Sequence, residues 1–167
     1  MESGTRAALE RLALCLGRQV ASLRHLCFKF EIQEVVLTSG RQKWLGETTA
    51  ELELAVADLH EHDQALRVAL VAAAVAVGLS PESTVREVAA RVPEPWSYVL
   101  EEHRKGMHEL LERVGQLSRT NRQMLARGHA ATVAAMSFLG AQVSSGYDAS
   151  GRPSPASGSV GLLDARA

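Results

Sequence analysis

The sequence predicts an all-α fold: an elongated antiparallel bundle of three long helices, with a short connector helix and a flexible C-terminal tail. Three observations carry that expectation. Leu9, Leu16, Leu23 and Phe30 repeat every seven residues, with Leu12 and Leu26 offset by three, the seam of a helix packed alongside another at a shallow angle. Ala, Leu, Glu, Arg and Gln dominate, aromatic residues make up 4%, and no stretch alternates apolar with polar residues, so sheet is disfavoured. Turn and helix-start signals fall where the periodic runs end, at Thr38-Ser39-Gly40, at Ser80-Pro81 and at Pro93-Glu94-Pro95.

Taken in order, the first helix is expected over about 3–37. Gly40 is suited to a left-handed C-cap, and Ser39 to capping the next helix. The second runs over about 41–77, with Trp44, Leu45, Leu52, Val56, Leu59, Leu66, Leu70, Val71 and Val77 as its apolar positions. Gly46-Glu47-Thr48-Thr49 lowers its propensity without ending it. A connector over about 81–91 starts with Ser80 as cap and Pro81 in first position, and Thr84 to Glu87 forms a capping-box pattern slightly later. It buries Val85, Val88 and Val92. The third long helix spans about 95–144 and completes a helical domain over 1–145. The Gly/Ser/Pro-rich stretch 146–167 reads as a flexible tail.

In this last helix Met107, Leu110, Leu111, Val114, Leu117, Leu125 and Phe138/Leu139 form one stripe. After Arg127 the charges stop: from Gly128 to Gly146 there is no Lys, Arg, Asp or Glu. A helix uncharged all round needs cover on most sides. Two readings are open. One is ordinary core with close helix approach at Gly128 and Ala131. The other is a partner-binding surface, to which Met124 and Met136 bring adaptable side chains. Gly106, Gly115, Gly128 and Gly140 each cost about 1 kcal/mol against Ala in a helix interior, which weakens this helix intrinsically.

Composition narrows the function classes. Lys and Arg total 18 against 19 Asp and Glu, so there is no basic excess for a nucleic-acid surface. Cys15 and Cys27, about 18 Å apart along one helix, cannot pair and read as reduced thiols in or near the core. The first residues do not read as a signal peptide, and the apolar run Val68–Leu79 is too short to span a membrane, which leads to the expectation of a cytoplasmic protein. His60 and His62 project about 200° apart and cannot share a metal, and His103 and His108 are no better placed. No nucleophile motif or phosphate loop occurs, so no enzyme and no cofactor is expected. The connector could be misread as half of a DNA-binding helix-turn-helix, but Pro93 and Pro95 stand where a recognition helix would follow.

One family resemblance stands beside this reading. Leu117-Ser118-Arg119-Thr120-Asn121-Arg122-Gln123-Met124-Leu125 resembles the L-x-x-x-N-x-x-L-L segment in the last helix of FlgN-type flagellar export chaperones, with Met124 in place of a Leu. Gly146-Tyr147 through Gly151-Arg152 is similar to that family's Tyr-x-x-x-Gly element, and Leu162-Leu163-Asp164 to a closing element. The Thr84 to Pro95 pattern fits too; the resemblance covers about 81–164. It implies a cytoplasmic chaperone, transiently at the export apparatus, that binds C-terminal helical segments of the hook-associated proteins FlgK and FlgL and delivers them to the type III export gate. By that resemblance Asn121, Leu125, Thr132, Met136 and Leu139 are cargo-side candidates, and Tyr147 docks the gate protein FlhA. A buried residue setting helix register is the other reading of Asn121, and a helix-end cap that of Tyr147. The alternative for the whole chain is a coiled-coil scaffold or adaptor without export function.

Overall fold

The computed structural model describes the backbone of residues 3–146 and the side chains of residues 3–138. Its regular structure in those residues is all helical: α1 is Ser3–Thr38, α2 Leu45–Ala76, α3 Val85–Arg91 and α4 Trp96–Gly146, with one 3-10 turn at Gln42–Trp44. Contacts divide the chain into two units, Met1–Gln123 and Met124–Ala167, and α4 contributes to both. No helix among the described residues is long and apolar enough to cross a membrane.

In the first unit three long helices form an up-down-up bundle. Thr5 Oγ1 donates to the Ala76 carbonyl, Lys29 pairs with Glu51 at 2.7 Å, and Gln33 bonds Thr49, so α2 runs antiparallel to α1. Arg113 pairs with Glu31 at 2.9 Å, and Asn121 bonds Phe30 and Gln33, so α4 runs parallel to α1. The expected heptad seam is the core: Leu9, Leu12 and Leu16 are fully buried, with Leu23 and Leu26 close behind. Leu9, Leu12 and Leu16 share one core cluster with Leu66 and Ala69 of α2, Val88 and Ala89 of α3, and Leu100 of α4.

The α2 face differs from the periodic reading. Trp44 and Val71 are exposed, Leu66 alone of the expected positions is buried, and the other buried places go to Thr48, Ala55, Ala69, Ala73 and Ala74. Small side chains let two backbones approach, and a reading that scores large apolar residues passes over them. Both cysteines are buried and free. Burial, reinforced by the Glu31 carboxylate, pushes the Cys27 thiol above its ordinary value of 9.0, against a smaller opposing pull from Arg113. It is therefore held as a neutral thiol.

The helix ends show which local signals prevail. Gly40, at φ 70°, closes α1 as expected, but Ser39 serves α1 rather than α2: its hydroxyl donates to the Val36 carbonyl. The second helix therefore starts at Leu45 after a 3-10 turn, without a side-chain cap, and Gly46 lies inside it. At the other end Gly78, at φ 74°, forms a full Schellman closure, with Leu79 N–H on the Ala74 carbonyl and Gly78 N–H on that of Val75. The connector starts at Val85, not at 81. Ser80 closes only a turn, whereas Thr84 and Glu87 satisfy each other's backbone N–H groups reciprocally.

Those bonds hold the Glu87 carboxyl below its ordinary value of 4.5, the Thr84 backbone N–H first and its hydroxyl second. A carboxyl depressed in the folded state stabilises above its unfolded pKa, and loses that effect as pH falls through the folded value. Glu87→Ala is expected to lower the thermal midpoint at pH 7. The gap to the parent narrows below pH 4.5, as circular dichroism melts across the acid range will read.

Candidate functional site

In the first unit, the last described tie between α4 and the other helices is a chain of hydrogen bonds that crosses all three. Asn121 Nδ2 donates to the Phe30 carbonyl at 2.9 Å and to Gln33 Oε1 at 3.0 Å, and Gln33 Nε2 donates to Thr49 Oγ1 at 3.1 Å. Two acceptors on one amide nitrogen fix the orientation of the Asn121 side chain. Asn121 is 1% exposed, Gln33 is buried, and Asn121 Oδ1 has no partner. A buried orphan acceptor costs about 1–3 kcal/mol, so this layer specifies register at the expense of stability.

In the second unit the same helix has a different environment. Met124 and Leu125 are half-buried, and every described side chain from Ala126 to Phe138 is exposed. That stretch includes three large apolar groups: Val133 at 48%, Met136 at 68% and Phe138 at 64% exposure. The Thr132 hydroxyl donates back to the Gly128 carbonyl at 3.0 Å, so its polar group is satisfied within the helix and its methyl is left outward-facing. A Cβ added at Gly128 would meet nothing within 4 Å, so no close helix approach occurs there. Among the described residues no group of three His, Cys, Asp or Glu is placed to hold a metal ion.

At 100° per residue, Asn121, Leu125, Thr132, Met136 and Leu139 fall within about 60° of arc on α4, a single stripe. The stripe starts in the buried layer at Asn121, whose amide is committed to α1, and reaches the surface at Thr132 and Met136. Leu139 is in α4 but its side chain lies outside the described residues, as does the whole of Tyr147. Val133 and Phe138 lie off this stripe, and neither is among the cargo-side candidates. Their signal was the absence of charge on every side of the helix.

Comparison with known proteins decides the family. The family model described as FlgN protein matches residues 1–155. The chain belongs to the FlgN family. No curated protein and no solved structure matches it. FlgN proteins are flagellar export chaperones rather than enzymes. In this FlgN chain the match includes the first two helices, where the resemblance rested on heptads alone.

Two outcomes are expected. Asn121→Ala removes the donor of Gln33 Oε1 and lowers stability by about 2 kcal/mol in urea unfolding. Amide hydrogens from Gly128 to Phe138 exchange faster in the isolated chain than those of Leu9–Leu26, because no side chain along that stretch is covered.

Proposed function

We propose that this chain is a chaperone of hook-associated proteins, which holds the C-terminal helical segments of FlgK and FlgL against the exposed part of α4 and delivers them to the type III export gate. The observation that carries this reading is the charge-free end of α4 with Val133, Met136 and Phe138 exposed on it. Monomeric soluble proteins seldom leave large apolar groups clustered on a helix without a use for them.

The chemistry of the surface suits an amphipathic helix as cargo. Such a helix docks through apolar residues at i, i+3, i+4 and i+7, and the stripe Leu125, Thr132, Met136, Leu139 offers matching intervals. Asn121 stands at its inner end and sets its direction. Met136 is unbranched and polarizable, so it repacks against more than one partner at low cost, as two related cargoes require. Covering assembly-prone segments keeps the subunits unpolymerised until export.

Tyr147 follows directly on α4 and is the proposed FlhA-docking group. A single aromatic that follows the cargo helix in sequence can enter a pocket of its own, so gate and cargo need not compete. The coiled-coil adaptor reading has no observation that favours it over this one.

Co-purification of the full chain with the C-terminal region of a hook-associated protein is expected to give a stoichiometric complex. A folded chain that fails to bind it overturns the reading. Met136→Asp weakens that complex by at least about tenfold, since a charge buried at a helix groove costs more than 1.4 kcal/mol, and leaves the melting of the first unit unchanged. Tyr147→Ala reduces binding to FlhA and leaves cargo binding intact. Loss of cargo binding instead would move Tyr147 to the cargo surface.

A further inference from the structure

The exposed part of α4 is wider than the single row that runs along it. At about 100° per residue, counted from Arg127, Phe138 stands at about 20°, Ala131 at about 40° and Ala135 at about 80°. Gly128 follows at about 100°, Thr132 at about 140° and Met136 at about 180°. All six are exposed. Arg127 bounds this arc on one edge and His129, at about 200°, on the other, and among the described residues of the second unit no charged side chain falls inside it. The arc is therefore about 160° wide, whereas a helix paired with one other helix uses a seam narrower than about 100°. Its large side chains are at the edges, Phe138 on one and Met136 on the other, and small ones hold the middle. A Cβ at Gly128 would meet nothing within 4 Å, so the middle is open to a close approach from outside the chain. Val133, at about 240°, lies beyond the arc, and a lone exposed apolar group needs no partner.

We propose that the cargo covers this part of α4 with two helices of one chain, one on the Met136 side and one on the Phe138 side, so that α4 lies in the groove of a helical hairpin. The proposal rests on the cargo reading and adds to it a second partner helix, on a side of α4 that the row from Asn121 to Leu139 does not reach. Area, charge and side-chain size select this occupant.

From Met124 to the end of α4 at Gly146 the helix is about 33 Å long. On a cylinder about 11 Å across, a row of about 60° presents roughly 190 Å², and the whole arc roughly 500 Å². Specific complexes bury about 600–1,000 Å² per partner, so one helix on the row falls short by about a factor of three and the whole arc comes near. Arg127 forms no ion pair among the described residues. It stands at the Phe138 edge, where the second cargo helix brings a carboxylate to its level. Gly128, Ala131 and Ala135 let α4 sit deep between the two helices, while Phe138 and Met136 pack outward onto one helix each. Two helices joined in one chain lose translational freedom once, whereas two cargo molecules would lose it twice for the same area.

Calorimetric titration of the full chain with the C-terminal region of a hook-associated protein tests it. One cargo chain per chaperone chain is expected. Phe138→Asp weakens binding by at least about tenfold, as Met136→Asp does, and Phe138→Leu keeps most of the affinity. Ser137→Asp is the control. It puts the same acidic group at the neighbouring position, but at about 280°, outside the arc, and changes affinity by less than about twofold. Gly128→Leu raises helix propensity yet weakens binding, because it fills the middle of the groove. Arg127→Gln slows association at low salt and flattens its salt dependence. A parent that binds tightly while Phe138→Asp binds equally well leaves that side of α4 to solvent or to residues 147–167. That result overturns the proposal while the cargo reading stands. So does equal weakening by Ser137→Asp and Phe138→Asp, a complex with two cargo chains, tighter binding by Gly128→Leu, or an Arg127→Gln chain that associates at the parent's rate. A folded parent that binds no cargo overturns the cargo reading, and this proposal with it.

Discussion

The hydrogen-bond chain from Asn121 through Gln33 to Thr49 is the constraint on which the arrangement of the long helices depends. Leu and Ala layers such as those around Leu9, Leu12, Ala69 and Ala73 stabilise a bundle without fixing it, because a shift of one heptad replaces one apolar layer with another. A buried amide cannot tolerate that shift. Asn121 reaches two acceptors on α1 from one position on α4, and Gln33 reaches α2 from one position on α1. Any other register leaves several buried polar groups without partners, at about 1–3 kcal/mol each. The orphaned Asn121 Oδ1 shows that even the native register is not free of this cost.

Register matters because α4 is one helix with two environments. Its direction is set within the first unit by that layer, together with the Arg113–Glu31 pair and the packing of Leu100 and Leu117. Its second unit has no such anchors: the side chains from Ala126 to Phe138 are exposed, and the only described hydrogen bond from a side chain there returns to the same helix. Gly128 sharpens the contrast. An added Cβ would meet nothing there, so the glycine is not required by packing, yet it lowers helicity. Weak helicity on an apolar, charge-free segment suits a surface that completes its order when covered, and it suits permanent core badly.

Much of this was legible in the sequence, for physical reasons that differ between elements. The α1 seam could be read because Leu at seven-residue spacing has few uses other than a helix interface, and the structure buries Leu9, Leu12, Leu16, Leu23 and Leu26. Gly40 and Gly78 could be read because a positive φ nearly demands glycine. The α2 interface could be read only at Leu66, because the rest of it is built from Ala55, Ala69, Ala73 and Ala74, whose side chains carry no large apolar signal. The connector's start was ambiguous between two overlapping cap signals, and reciprocal bonding decided for Thr84. Of the candidate site, the single stripe was legible but its depth was not. Periodicity puts Asn121 and Met136 on one line, while burial separates them: one is 1% exposed and the other 68%.

That separation sharpens the physical logic of the stripe. A continuous row of positions on α4 meets the chain's own helices at its inner end and solvent at its outer end, with no break in the helix between. Leu100, Leu117 and Asn121 are already buried within the bundle, so they offer no apolar surface to a partner. Thr132 and Met136 continue the same row, and with Val133 and Phe138 they keep all of theirs in reserve. At about 25 cal/mol per Å² of apolar surface, covering such side chains yields a favourable term only when the cover comes from another molecule. The boundary near Asn121 therefore divides a helix face that stabilises the fold from one left open to solvent.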